Sequence, residues 1–154
     1  MNRLYSSATA EATAVESSGK IWLNEGMLNG RIIVLLCGLH SAAFGIFHLL
    51  FWRIFRWKAD LRGHSDSSRA IIQILNLRII YVFFAVAALC FAFPSELIGT
   101  ALGRAVLGGM ALFWVGRTIE QFVFVRGGGV FVHALTAAIV LGAVLFAAPL
   151  FVGA

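Results

Sequence analysis

Beyond its first 28 residues the chain consists of four apolar runs separated by short polar or basic stretches. The runs lack the strict alternation of half-buried strands and are too long for strands, so they read as helices. Their expected extents are about 31–57, 69–93, 96–125 and 129–151. Each has about the 20 residues needed to cross about 30 Å of hydrocarbon at 1.5 Å per residue. The expected fold class is therefore all-α, an integral membrane four-helix transmembrane bundle occupying residues 29–154. Residues 1–28, rich in Ser, Ala, Thr and Glu, read as a flexible polar tail with no signal-peptide core. Met27, just ahead of the first run, offers an alternative start.

The punctuation between the runs supports this reading. Trp52, Arg53, Phe55, Arg56, Trp57 and Lys58 close the first run as an aromatic and basic interfacial belt. A polar loop follows at residues 59–68, Pro94 stops the second run, and Gly127-Gly128-Gly129 separates the third from the fourth. Small residues at helix-packing spacing (Ser41 and Gly45, Gly99 and Gly103, Ala134, Ala138 and Gly142) predict close helix–helix contacts and allow a homo-oligomer.

Composition sharpens the class. The chain has 154 residues, 60% of them hydrophobic and 12% charged, against about 25% charged in an average soluble domain. A small soluble domain could not bury so much apolar surface, and a lipid bilayer removes the difficulty. The net charge of +5 does not point to nucleic acid, because the basic residues lie between apolar runs, where they set orientation. Arg53, Arg56, Lys58, Arg62 and Arg69 lie between the first two runs and Arg126 between the last two, so both loops are expected in the cytoplasm and both termini outside. The excess of arginine over lysine fits a bacterial inner membrane protein encoded by GC-rich DNA.

The apolar runs carry one chemical signal. His40 and His48 lie in the first, Gln73, Asn76 and Arg78 in the second, Arg117, Glu120 and Gln121 in the third, and His133 in the fourth. Charge at the bilayer centre is costly, so such residues should face one another inside the bundle. Counted from the cytoplasmic ends, His48 lies about 6–8 Å in, Asn76 about 9 Å, Arg78 about 12 Å, Glu120 about 9 Å, Arg117 about 13 Å and His133 about 5–6 Å. His48, Asn76, Arg78, Arg117, Glu120, Gln121 and His133 thus form the expected ligand-binding layer, with His40 about 12 Å beyond His48 as a secondary member. Arg117, Glu120 and Gln121 share a face, with Glu120 expected to anchor Arg117, while Arg78 is about 200° round the helix from Asn76 and needs another neighbour.

Two arginines against one glutamate make this layer net positive, which disfavours a bare metal site and favours an anion or a polar, electron-accepting ligand. An anionic lipid head group fits, as does a quinone carbonyl. Haem b held by His48 and His133 is a further option, and a proton relay through His and Glu120 a fourth. Cys37 and Cys90 sit in apolar runs without a CxxC motif and read as small buried hydrophobes, and His64 reads as a solvated loop residue. There is no HExxH, GxSxG or phosphate-binding glycine loop to suggest an enzyme. The competing reading is an assembly or scaffold protein whose polar cluster only fixes helix packing.

Overall fold

The computed structural model describes residues 2–54, 65–125 and 129–152, with side chains from Gly26 onward except Trp52 and Ile54. The described residues are helical apart from single residues at the helix ends, with no strand among them. In chain order the helices are α1 (Asn2–Leu49), α2 (Phe51–Ile54), α3 (Asp66–Ala92), α4 (Pro94–Gly99), α5 (Ala101–Phe124), α6 (Val130–Ala147) and α7 (Pro149–Val152). Four are long and three are short, of four to six residues. The basic residues Arg56, Lys58 and Arg62, His64, and Arg126 with Gly127 and Gly128 lie outside the described residues.

α1 runs unbroken through the stretch expected to be a flexible tail. That stretch contains no proline and several good helix formers, and an established helix extends at little further cost, because nucleation is the unfavourable step. The other boundaries follow local chemistry. Ser65 caps α3 by accepting from the Ser68 amide at 3.2 Å, and Arg69 pairs with Asp66 in the first turn. α3 stops at Phe93 because the residue before a proline is pushed out of the helical region. Pro94 then opens α4, where its missing amide hydrogen costs nothing.

The third run is broken where a single helix was expected. Thr100 is extended at φ −112° and ψ 150°, and its hydroxyl accepts from the Gly103 amide at 3.0 Å while donating to the Glu96 carbonyl at 2.8 Å. A new helix therefore starts at Ala101. A Cβ on Gly103 would collide with the backbone of Glu96 and Leu97, so only glycine lets α4 fold back on the start of α5. By contrast, Gly99, expected to share a packing ridge with Gly103, faces open space. At the far end of the chain Pro149 begins α7, and Arg104 donates to the Leu150 carbonyl at 3.0 Å, holding that turn to α5.

α1 packs chiefly on α3, α5 chiefly on α6, and α1 also touches α6. The α1–α3 seam works by rings on glycines: a Cβ on Gly45 would lie 3.0 Å from the Phe84 ring, and one on Gly38 would lie 2.9 Å from Phe91. These pairs are seven residues apart on both antiparallel helices, so each ring fills the next notch. The core holds Val34, Cys37, Phe83, Cys90, Leu107, Trp114, Ile139 and Phe146.

Three segments are long and apolar enough to cross a membrane: Gly26–Leu49, Asp66–Ala92 and Val130–Val152. Only 33%, 33% and 22% of their apolar windows are buried within the protein, so most of their outward surface is apolar side chain. Water would not tolerate this, whereas lipid matches it. The chain is accordingly a multi-pass membrane protein. α5 is long, but Arg104, Arg117 and Glu120 keep it out of this set.

Candidate functional site

The histidines of α1 stand on one ridge, because His40, Phe44 and His48 are four residues apart. That ridge meets an aromatic wall. Phe44 lies 4.9 Å from the His40 ring, 4.6 Å from Trp114 of α5 and 5.8 Å from Phe83 of α3. Trp114 in turn stacks on Phe83 at 5.6 Å with 20° between the planes. Three helices are locked together by these rings.

His40 reaches across to α6, its Nε2 3.0 Å from the Ala138 carbonyl oxygen. A carbonyl can only accept, so in the neutral ring Nε2 carries the hydrogen and Nδ1 is a bare lone pair. Gly142 makes the approach possible: a Cβ there would sit 2.6 Å from Trp114 and 2.7 Å from His40. Cys37, one turn earlier on α1, donates from its thiol to the Leu145 carbonyl at 3.1 Å. Two α1 side chains therefore end on backbone carbonyls of α6. Three buried polar atoms in this region, His40 Nδ1, Ser41 Oγ and Trp114 Nε1, make no hydrogen bond.

A second polar layer lies two turns further along α1. His48 Nδ1 is 2.9 Å from the Phe44 carbonyl, so Nδ1 donates and Nε2 presents its lone pair. Rings of Phe47, Phe51 and Phe83 surround the imidazole at 5.6, 5.1 and 5.3 Å. The His48 main-chain carbonyl accepts from Nδ2 of the buried Asn76 on α3 at 3.3 Å. On α5, Arg117 lies about one turn beyond Trp114, whose ring packs on Phe44, and it donates to Gln121 Oε1 at 3.1 Å. The fully buried Gln121 passes the connection to α6, with Nε2 3.4 Å from Thr136 Oγ1. Thr136 itself donates to the Val132 carbonyl at 2.8 Å.

The four long helices thus meet in one polar layer, with a membership that differs from the expected one. His48, Asn76, Arg117 and Gln121 are inside, while Arg78, Glu120, His133 and Gln73 are exposed. Gln121, not Glu120, is the partner that orients Arg117, and no ion pair joins Arg117 to Glu120 among the described residues. Phe131 is the residue that turns to Phe47, at 6.5 Å. His133, two residues on, lies about 200° round α6 from Phe131. A haem held between His48 and His133 therefore does not fit this arrangement. Thr136 was not singled out in the sequence; an isolated Thr in an apolar run gives little warning, because it can satisfy its hydroxyl on its own helix. Trp114, almost fully buried, centres the inward face of α5.

Among the described residues Arg117 is the single formal charge inside this layer, half-buried and in no ion pair. No group of three metal-ligating side chains gathers among the described residues. The layer can accept a hydrogen bond at His48 Nε2 and offer guanidinium hydrogens at Arg117. Comparisons with protein-family models, curated proteins and solved structures find no match to the chain.

Proposed function

We propose that the chain is a four-span protein of a bacterial cytoplasmic membrane that binds a small anionic or carbonyl-bearing ligand between Arg117 and His48. α5 serves as the fourth span, alongside α1, α3 and α6. Its polar residues are compatible with that role: Arg104 ends on a backbone carbonyl at one end of the helix, and Arg117 and Gln121 face inward. The basic loops lie on the cytoplasmic side and both termini outside.

The observation that carries the ligand reading is the uncompensated Arg117. A cation held half-buried between helices, with only a neutral amide for a partner, is incomplete without an anion or a strong acceptor. His48 beside it has one ring nitrogen engaged and one free, and aromatic rings wall the space. A lipid phosphate and a quinone carbonyl share the acceptor chemistry that this arrangement selects.

The packing reading has its own support. His40, Cys37 and Asn76 all end on backbone carbonyls of neighbouring helices, which fixes helix register and involves no ligand. Arg117→Leu separates the two. The ligand reading expects a helical, monodisperse protein that no longer co-purifies with its lipid or quinone, read by mass spectrometry of the extract. Loss of the fold or of monodispersity in that variant supports packing alone. An unchanged fold with unchanged bound species defeats both.

A further inference from the structure

Two charged side chains on the outer faces of α3 and α5, Arg78 and Glu120, lie at closely similar depth. Arg78 and Glu120 are exposed, and among the described residues neither forms an ion pair. The Phe83–Trp114 stack fixes a common level on α3 and α5. From that level Arg78 is five residues along α3 and Glu120 six along α5, about 7.5 Å and about 9 Å of rise. Both displacements run towards the His48 end of the bundle: Asn76 of α3 reaches His48, while Trp114 and Gln121 of α5 pack on Gly142 and Thr136 of α6, whose numbering falls from Leu145 to Ala138 as that of α1 rises from Cys37 to His40.

Each charge also sits on a helix face that is exposed among the described residues. On α3, Ile71, Ile74, Tyr81 and Leu89 are exposed around Arg78. On α5, Ala105, Leu112 and Glu120 are exposed, and a Cβ added at Gly109 or Gly116 would meet nothing within 4 Å. The α5 face is thus a shallow groove ending in a carboxylate, while the α3 face is a ridge bearing a guanidinium.

We propose that these faces bind each other in a second copy of this chain, with Arg78 of one copy paired to Glu120 of the next. Membrane insertion gives every copy the same orientation, so copies are related by rotation about the membrane normal and equal depths stay equal. An exposed intramembrane arginine and glutamate are both poorly solvated by lipid, and a pair at matched depth satisfies both. The opposite charges complement each other, and like charges at the same contact exclude wrong registers. This inference rests on the exterior of the bundle and is independent of the ligand proposed for its interior.

The test uses energy transfer between donor- and acceptor-labelled full-length copies in phosphatidylcholine vesicles, over a range of protein-to-lipid ratios. Wild type self-associates. Arg78→Glu alone and Glu120→Arg alone each weaken self-association by about tenfold or more. Mixing these two single variants restores association, because every contact between unlike copies then joins opposite charges. The mixture also controls for misfolding, since damaged proteins would not recover specific pairing on mixing. A wild type that stays monomeric at every ratio, single reversals without effect, or a mixture as weak as its components would each overturn the proposal.

Discussion

Gly142 is where a helix packs closely against two side-chain rings and where the energetic consequence is most directly calculable. A methyl group added there would sit 2.6 Å from Trp114 Cδ2, 2.7 Å from His40 Cε1 and 2.9 Å from Trp114 Cε2. Relief requires a ring to move by about an ångström to restore ordinary carbon contact. Neither ring is free to do so. Trp114 is 1% exposed and stacked on Phe83, and His40 is 8% exposed and tied to Ala138 on the helix that bears Gly142. Overpacking of this kind costs about 1–3 kcal/mol. Against it stands the helix propensity gained in any Gly→Ala change, about 0.8–1.0 kcal/mol. Gly142→Ala should therefore destabilise by about 0–2 kcal/mol. Gly109→Ala, where an added Cβ meets nothing within 4 Å, should stabilise by about 1 kcal/mol. Propensity cancels in the comparison, leaving a gap of about 1–3 kcal/mol that belongs to the Trp114–His40 contact alone. Reversible unfolding in mixed detergent, followed by far-ultraviolet circular dichroism at a dilution that keeps the protein monomeric, measures that gap. If Gly142→Ala proves as stable as Gly109→Ala, α6 does not approach α1 and α5 as closely as described, and the His40–Ala138 bond goes with it.

Other contacts give smaller or more local effects. Asn76→Leu removes the side-chain bond to the His48 carbonyl and should cost about 0.6 kcal/mol, the average for interhelical polar contacts in membranes, in the same unfolding assay. Thr136→Val deletes the acceptor for Gln121 while keeping its shape, with a similar loss of about 0.6 kcal/mol; a loss several times larger would mean that the layer acts as one cooperative network. Gly103→Val places a branched side chain against the backbone of Glu96 and Leu97, which has no rotamer to yield, and should lower folded yield more than any change above, measured as monodisperse protein per cell mass. Asp66→Asn breaks an exposed pair with Arg69 and should shift stability by no more than about 0.5 kcal/mol, with any effect vanishing at high salt.

Hydropathy and proline placement were enough to find α3 within a few residues, because both of its ends are chemical: Ser65 caps one and Pro94 terminates the other. The break at Thr100 was hidden because hydropathy averages over it, although a Thr three residues ahead of Gly103 and just after Gly99 carries the local capping signal. Depth along each helix could be counted from the sequence, since rise per residue is constant, and the structure joins Asn76 to His48 and Arg117 to Gln121 by hydrogen bonds. Azimuth was the harder coordinate. With Trp114 at the centre of the buried face of α5, Gln121 lies about 20° away, Arg117 about 60° and Glu120 about 120°. On α6, with Ile139 as centre, Thr136 lies about 60° away and His133 about 120°. Polarity alone placed Gln121, Arg117, Glu120 and His133 inside, whereas the large buried residue in each helix sets which way the helix is turned.

The same rotation that removes Glu120 from the interior gives the molecule two electrostatic compartments at one depth. Inside, Arg117 has a neutral amide as its hydrogen-bond partner and forms no ion pair among the described residues, so its charge is available to something other than protein. Outside, Arg78 and Glu120 balance each other in number and in level, yet they stand on helices that pack on different partners, so one copy has no described contact through which to join them. A perturbation of one compartment should leave the other standing. Arg117→Leu should abolish ligand retention while self-association in vesicles is unchanged, and Arg78→Glu should do the reverse. If the interior variant also dissolves the assembly, the helices turn as a unit and the two compartments are coupled through α5, which carries a residue of each.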